Sequence, residues 1–155
     1  MPGDVLLIIC NINNRNKMTN KSILLNFKAV GIISKCGQGD FSYVTVDYVA
    51  RQLGVSVPSL SRSFKKTFGV TVQWFLILRK VLVALYLMNK NPKITVKELA
   101  AALDYNSTSQ FIAAFRKYVG RTPGELLRYP EKRWRVCFWV QVMLEEYRKF
   151  NRPRR

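Results

Sequence analysis

Residues 45–71 read TVDYVARQLGVSVPSLSRSFKKTFGVT, and residues 95–122 read TVKELAAALDYNSTSQFIAAFRKYVGRT. The second stretch repeats residues of the first, namely Thr45, Val46, Ala50, Leu53, Phe64, Lys66, Gly69 and Thr71. The second copy is one residue longer, and the extra residue falls in the middle, where a turn can absorb it. Because a repeat this short cannot bury its apolar face alone, each copy is expected to pack on a neighbouring element.

Each copy has the pattern of a helix, a short turn and a second helix. In the first copy, Thr45 and Ser56 are suited to cap the two helices at their N-termini. In the second copy, Thr95 and Glu98 form a capping-box pattern, and residues 104–106 form the turn. The sequence therefore predicts two helix-turn-helix units.

The sequence around the repeats predicts three more helices and one loop. The helices cover residues 22–35, with Ser22 as a possible N-cap, 72–89 between the copies, and 123–129 after the second copy. The helix between the copies would be on the order of 27 Å long. Residues 36–44 are expected to form a loop. The predicted fold class is all-α, with two helix-turn-helix lobes joined by a long linker helix.

Three parts of the chain follow from this pattern. Residues 1–44 form an N-terminal segment, 45–129 the two-unit domain, and 130–155 an aromatic segment followed by a basic tail. The aromatic stretch 131–150 favours a helix, although Val136 to Val142 are also typical of a strand. Such a helix could cover the domain's own apolar surface or bind a partner.

The chain of 155 residues carries 26 Lys and Arg against 9 Asp and Glu, which gives a net charge of +17. An excess of this size favours binding to nucleic acid or to an anionic membrane surface. With 48% hydrophobic residues, the chain can bury a core, unlike a disordered basic tail. The composition thus predicts a folded protein with a polyanionic partner.

Catalysis and metal binding are not expected. The sequence lacks histidine, the commonest general base, and no nucleophile–base set or paired carboxylates stand out. Cys10, Cys36 and Cys137 have neither zinc-ligand spacing nor the pattern of a disulfide framework, so a reducing compartment is expected. We expect no enzyme activity, no cofactor and no metal.

No membrane segment is expected either. The apolar run at residues 5–10 lacks a basic leader, and no stretch approaches the roughly 20 apolar residues of a spanning helix. We expect a cytoplasmic protein associated with the nucleoid.

Helical geometry predicts which side chains of the first copy face away from the core. At about 100° per residue, Ser59, Arg62 and Lys66 lie opposite the apolar stripe of their helix. Arg62 matches the O6 and N7 atoms of guanine, and Ser59 and Ser61 can reach base edges. Lys65 and Lys66 suit the phosphate backbone. The first copy therefore presents a basic face with one strong base reader.

The same projection for the second copy places Gln110, Ala113 and Lys117 outward, flanked by Ser109 and Arg116. Ala113 can touch a thymine methyl but cannot make a bidentate contact, so the second copy should contribute mainly charge. The candidate phosphate contacts of both copies are Lys65, Lys66, Thr71, Arg116, Lys117, Arg121 and Thr122.

The pattern A-x-x-x-G-V-S-x-x-x-L-x-R-x-F-K-x-x-x-G, from Ala50 to Gly69, resembles the first helix-turn-helix of the AraC/XylS transcriptional regulators. The second signature of that family corresponds to Leu99-Ala100 and Phe115-Arg116-Lys117, followed by Thr122-Pro123. The resemblance covers about residues 45–129.

The resemblance implies a bacterial regulator with a seven-helix domain that binds double-stranded DNA as one polypeptide. It implies recognition helices at 57–68 and 107–118. By position, the implied base contacts are Pro58, Ser61, Arg62, Thr108, Ser109, Ile112 and Ala113.

Three departures from the family pattern matter. Most members carry a small-molecule effector or dimerisation domain before this one, and residues 1–44 are too few for it, so the chain could act as a lone DNA-binding domain or be a truncated or rearranged product. The other two departures fall in the second copy. Asp104-Tyr105 replaces the usual Gly-Phe at the turn, and Ala113 stands where arginine is common. An alternative function is therefore a protein-interaction module with little DNA binding, in which residues 131–150 bind RNA polymerase or another regulator.

Overall fold

The computed structural model describes residues 20–133 together with residues 135 and 136. Over these residues it contains helices and no strands, which confirms the all-α class. The helices are α1 (Asn20–Lys35), α2 (Val46–Gln52), α3 (Val57–Phe68), α4 (Val72–Lys90), α5 (Val96–Ala102), α6 (Thr108–Val119) and α7 (Pro123–Arg128). Single 3₁₀ turns follow α1 and α7, at Asp40–Ser42 and Pro130–Lys132.

Short polar side chains fix where the helices after α1 begin. In each case a Ser or Thr oxygen accepts a hydrogen bond from the backbone N–H three residues later, which satisfies one otherwise unpaired donor. These N-caps are Thr45, Ser56, Thr71, Thr95, Ser107 and Thr122. The helix starts predicted from the repeats are therefore confirmed.

The start predicted for the first helix was wrong. Helix α1 already includes Asn20, so Ser22 lies inside the helix and is not its N-cap. The error has a physical source, because an isolated serine followed by apolar residues fits both a cap and a helix interior. The loop predicted at 36–44 is interrupted by the 3₁₀ turn Asp40–Ser42, which buries Phe41.

The two interhelical turns begin with the same backbone conformation despite their different sequences. Gly54 has φ 65°, and Asp104, at the matched position, has φ 57°. In each turn the amide after this left-handed residue donates to a carbonyl of the preceding helix, at 3.1 Å and 3.0 Å respectively. The extra residue of the second copy lies in the turn before Ser107, as predicted.

Helices α1, α2 and α3 pack together as a first lobe, and α5, α6 and α7 as a second. Helix α4 contacts α1 and α3 on one side and α6 on the other, so it joins the lobes. Because α1 shares the core of the first lobe, the packed unit extends upstream of residue 45. The domain boundaries proposed from the sequence remain predictions.

Helix α4 is long and apolar enough to cross a membrane by length and composition alone. The sequence reasoning overlooked this, since the two charged residues at 79 and 80 interrupt the apolar run. Half of the helix is buried. Its fully enclosed residues, such as Ala84, Leu85 and Met88, belong to one hydrophobic core that also contains residues of both lobes. The structure therefore explains its apolarity as that of a core helix.

Candidate nucleic-acid interface

Helix α3 separates its apolar and polar residues cleanly. Leu60, Phe64 and Phe68 are buried, and Phe64 packs edge-on against Phe75 of α4 with ring centroids 6.0 Å apart. The predicted contact residues of this copy lie on the other side. Pro58, Ser59, Arg62, Lys65, Lys66 and Thr71 are exposed, and Ser61 is half-buried.

Arg62 projects from the middle of this surface. Its Nε atom donates a long hydrogen bond of 3.4 Å to the carbonyl oxygen of Pro58, one turn earlier in α3. A bond of this length is weak, so the guanidinium can leave it at little cost. Arg62 is thus available to bind an acceptor outside the protein.

A buried polar contact holds α3 against α1. Asn26 is fully buried, and its Nδ2 atom donates to Ser63 Oγ at 2.9 Å and to Thr67 Oγ1 at 2.6 Å. Its Oδ1 atom has no hydrogen-bond partner. Buried amides specify geometry because they stabilise only the arrangement that satisfies them. Sequence reasoning missed Asn26, and the only available signal was one polar residue within the apolar run of α1.

Helix α6 has the same division with a less polar outer face. Phe111 and Phe115 are buried, whereas Ser109, Gln110, Ala113, Arg116 and Lys117 are exposed. Thr108 and Ile112 are half-buried. An open hollow of about 600 Å³ lies along this face, lined by Ser109, Ile112, Ala113, Arg116 and Lys117. Five of the predicted contact residues therefore share one surface.

The helix starts predicted to bind phosphate differ between the copies. At the start of α4, Thr71 accepts from the N–H of Trp74, and no carboxylate occupies that position. At the start of α7, the N–H of Thr122 donates to Glu125 Oε2 at 2.8 Å. A phosphate at Thr122 would have to displace this carboxylate, whereas Thr71 faces no such competitor. Arg121, beside Thr122, is exposed.

Consecutive cations of α4 hydrogen-bond to different lobes, and Lys80 Nζ also lies 5.3 Å from the ring centroid of Phe41 in the first lobe. Arg79 Nε donates to the carbonyl oxygen of Cys36, just after α1, at 2.7 Å. Lys80 Nζ donates to the carbonyl oxygen of Leu103, at the end of α5, also at 2.7 Å, and lies 4.5 Å from the ring centroid of Tyr105. Burial lowers the pKa of Lys80 from its ordinary value. Both cations stabilise helix C-termini, where carbonyls lack partners.

Arg133 performs the same task at the C-terminal end of α4. It is only 6% exposed, and its guanidinium donates to the carbonyl oxygens of Leu126 at 2.6 Å, Leu127 at 3.2 Å and Met88 at 3.1 Å. A fourth bond, of 3.3 Å, reaches Asn89 Oδ1. One side chain thus joins the ends of α4 and α7. Nothing in the sequence distinguished this arginine from its basic neighbours.

These features define a helix-turn-helix protein of the DNA-binding class: two exposed polar helices, each held on a three-helix lobe. The model of the family described as "Helix-turn-helix domain" matches residues 49–129, more than half of the chain. The chain therefore belongs to this family, in its AraC-type form, which confirms the resemblance drawn from the motifs. Residues 49–129 are thus a DNA-binding domain of the transcriptional-regulator type, which is not a catalytic domain.

A curated relative is the Msm operon regulatory protein of Streptococcus mutans serotype c, 24% identical over 84 residues. The match covers 54% of this chain and 30% of that protein, so the chain spans less than a third of its relative's length.

Solved structures show the same fold. The C-terminal domain of AraT, a response regulator from Geobacillus stearothermophilus, aligns at a TM-score of 0.58 with 27% identity, over 67% of this chain and 84% of that one. A DNA-binding transcriptional dual regulator from Escherichia coli K-12 aligns at 0.57 with 22% identity, over 70% and 93%. The latter likeness supports the fold alone.

Proposed function

We propose that this chain binds double-stranded DNA with both helix-turn-helix units, and that α3 and α6 enter successive major grooves on one side of the duplex. Each of these helices buries its aromatic residues and exposes a polar face. The second helix of such a unit is the one that enters the groove. The net charge of +17 favours the same partner.

The contact of α4 with both lobes is the observation that carries this proposal. Its 19 residues give a rod of about 28 Å. Major grooves on one side of a duplex recur about every 34 Å. With its flanking turns the rod has the appropriate length, and Arg79 and Lys80 fix one lobe at each side.

The two units would read bases unequally. Arg62 can donate two hydrogen bonds to the O6 and N7 atoms of a guanine. In the hollow along α6, Ile112 and Ala113 offer apolar contact that suits thymine methyls. The Ser109 hydroxyl can donate a hydrogen bond to a base edge or accept one from it. Sequence choice should therefore come mainly from the first unit.

Most of the affinity would come from the phosphate backbone. The exposed cations beside the reading surfaces are Lys65, Lys66, Arg116, Lys117 and Arg121. Neutralising phosphates releases counterions, so the binding constant should fall steeply as salt rises. The proposed site of action is the bacterial nucleoid in the cytoplasm. Contact with RNA polymerase or another regulator stays a prediction.

Selection of bound duplexes from a random pool, at stated salt, tests this proposal. We expect two conserved blocks separated by about one helical turn, with a guanine in the stronger block. Arg62→Ala should cost about 1–3 kcal/mol at one base pair and relax the preference there. Lys66→Ala is the matched control, which should weaken all sequences alike. A single block, or an unchanged preference in Arg62→Ala, would contradict the proposal.

A further inference from the structure

Lys80 lies near the middle of α4, between the two lobes. It is the ninth of the 19 residues of this helix, and its side chain is half-buried. Burial lowers the pKa of Lys80, while the carboxylate of Asp104 favours the charged form. Because an ammonium loses hydration free energy when it is buried, its surroundings have to compensate for that loss.

The groups that surround the Lys80 ammonium come from both lobes. Its Nζ atom lies over two aromatic rings, 5.3 Å from the centroid of Phe41 and 4.5 Å from that of Tyr105. Phe41 belongs to the 3₁₀ turn of the first lobe, and Tyr105 to the turn between α5 and α6 of the second. A cation within about 6 Å of a ring centroid is attracted to the ring. The ammonium therefore attracts one ring of each lobe.

Both rings are held firmly within their own lobes. Phe41 is 4% exposed and belongs to the hydrophobic core. The ring of Tyr105 packs against Phe111 of α6, with ring centroids 5.2 Å apart, and Phe111 is 1% exposed. A movement of Lys80 relative to either ring is therefore a movement relative to a lobe, and on one side relative to α6 itself.

The two copies differ at the residues that act on Lys80. In the second copy, Asp104 acts through its charge and Tyr105 through its ring. The matched residues of the first copy are Gly54 and Val55, which have neither a charge nor a ring. Asp104 also has a left-handed backbone that glycine adopts more readily. The interaction with Lys80 gives a physical reason for both residues of this turn.

The angle between the lobes decides which base pairs α3 and α6 can meet together. Recognition helices in successive major grooves lie about 34 Å apart, so each is about 17 Å from a pivot midway between them. A rotation of about 10° at this pivot moves a helix by about 3 Å. Successive base pairs are about 3.4 Å apart along the duplex. A small rotation at the middle of α4 therefore changes the spacing of the two contacts by about one base pair.

We propose that Lys80 is a positioning residue that fixes the angle between the lobes, and thereby the number of base pairs between the two half-sites. This inference rests on the proposed function, because both units must bind one duplex for the angle to matter. Lys80 acts through Phe41 and Tyr105 and not by contacting DNA. The chain then selects its sites by their spacing as well as by their bases.

The rigidity of the angle can be measured without DNA. Spin labels at Gln52→Cys in α2 and Lys97→Cys in α5 report the distance between the lobes by pulsed electron paramagnetic resonance. Both positions are exposed. The label is attached to the full chain lacking Cys10 and Cys137, in which the remaining Cys36 is buried.

In this measurement Lys80→Met should broaden the distance distribution about twofold, because the attraction to both rings is lost. Lys90→Met removes the same charge at the exposed end of α4 and is the matched control. It should leave the width as in the wild-type chain. Equal widths in Lys80→Met and Lys90→Met would overturn the proposal.

Binding to duplexes whose selected half-sites are moved together or apart by one or two base pairs tests the consequence for DNA. In the wild-type chain and in Lys90→Met, each base pair of displacement should weaken binding about tenfold, the effect of a mismatched base pair. In Lys80→Met this loss should be severalfold smaller, with unchanged base preference inside each half-site. An undiminished loss in Lys80→Met would refute a role in spacing.

Variants of Tyr105 test the ring while the ammonium stays in place, so they remain informative if Lys80→Met does not fold. Tyr105→Leu should broaden the distances and reduce the spacing penalty, whereas Tyr105→Phe retains the ring and should behave as the wild-type chain. Adding Tyr105→Leu to Lys80→Met should change neither quantity further, because the two residues form one contact. Equal behaviour of Tyr105→Leu and Tyr105→Phe would contradict the proposal.

The two measurements separate this inference from the proposed function. If the wild-type chain bound no duplex with two half-sites, the proposed function would fail, and the role of Lys80 in spacing would fail with it. The distance distributions would still show whether Lys80 fixes the lobes. If DNA binding is retained and the widths are equal, the inference about Lys80 alone is wrong.

Discussion

The two helix-turn-helix units have the same order of helices and caps, and four of the matched positions at which they differ bear on function and stability. The pairs, first copy before second, are Tyr48 and Glu98, Gly54 and Asp104, Arg62 and Ala113, and Trp74 and Glu125. The first copy has the arginine suited to reading a base, and its helices α2 and α4 start without a capping-box carboxylate. The second copy has alanine in place of this arginine, and it has two complete capping boxes.

The comparison separates what a lobe needs to fold from what it needs to bind. Buried aromatic residues and Ser or Thr caps recur in both copies, so they maintain the backbone. The exposed positions diverge because the backbone does not depend on them. We infer that the first unit provides most of the base selectivity and the second contributes charge and a firmly stabilised support.

The largest expected effect concerns the anchor of the second lobe. Arg133→Met should lower the free energy of unfolding by about 3 kcal/mol, because it leaves two buried and two partly buried acceptors without their donor. Urea denaturation measures the change. Arg128→Met, at an exposed position of α7, is the control and should alter stability little. Equal effects of the two substitutions would show that the hydrogen bonds of Arg133 are dispensable.

The sequence predicted helix order and helix starts well because caps and apolar spacing are local signals. It could not predict Arg133, Lys80 or Asn26, whose partners are distant in the chain. An arginine that satisfies helix ends 45 residues away is indistinguishable in sequence from one in solvent. Of the candidate site, the structure shows that the predicted residues are exposed or half-buried, and their DNA contacts remain predictions.

A second prediction concerns a substitution that makes the two recognition helices alike. Ala113→Arg places a guanidinium at the position of α6 that matches Arg62 of α3. We expect a new guanine preference in the weaker block, worth about 1–3 kcal/mol over other bases. Ala101→Arg, on an exposed position of α5, adds the same charge and serves as control. If the selected sites change equally in both variants, the new preference results from the added charge alone.

A smaller effect is expected at the turns. Asp104 has a left-handed backbone, which costs a residue with a side chain about 1 kcal/mol relative to glycine. Asp104→Gly should therefore raise the free energy of unfolding by about 1 kcal/mol, while Gly54→Ala should lower it by a similar amount. Thermal unfolding at fixed pH measures both changes. Asp104→Asn separates strain from charge, since Asp104 also favours protonated Lys80. A loss of stability in Asp104→Gly would contradict the equivalence of the two turns.

The last and smallest expected difference is sensitivity to acid. Hydrogen bonds from Thr95 and Thr122 lower the pKa values of Glu98 and Glu125 below 4.5. Because the folded-state pKa lies below the unfolded one, these carboxylates stabilise the fold above about pH 4.5, and the contribution disappears as pH falls through the folded-state values. Both groups are exposed, so solvent keeps the effect modest.

Acid should therefore loosen the starts of α5 and α7 before the matched starts of α2 and α4, which have Tyr48 and Trp74 at the corresponding positions. Amide hydrogen exchange between pH 6 and 3, corrected for intrinsic rates, measures this order. The double variant Glu98→Gln/Glu125→Gln should lose the acid-dependent difference, because an amide does not titrate in this range. Equal loosening of all four helix starts would show that the capping carboxylates do not distinguish the lobes.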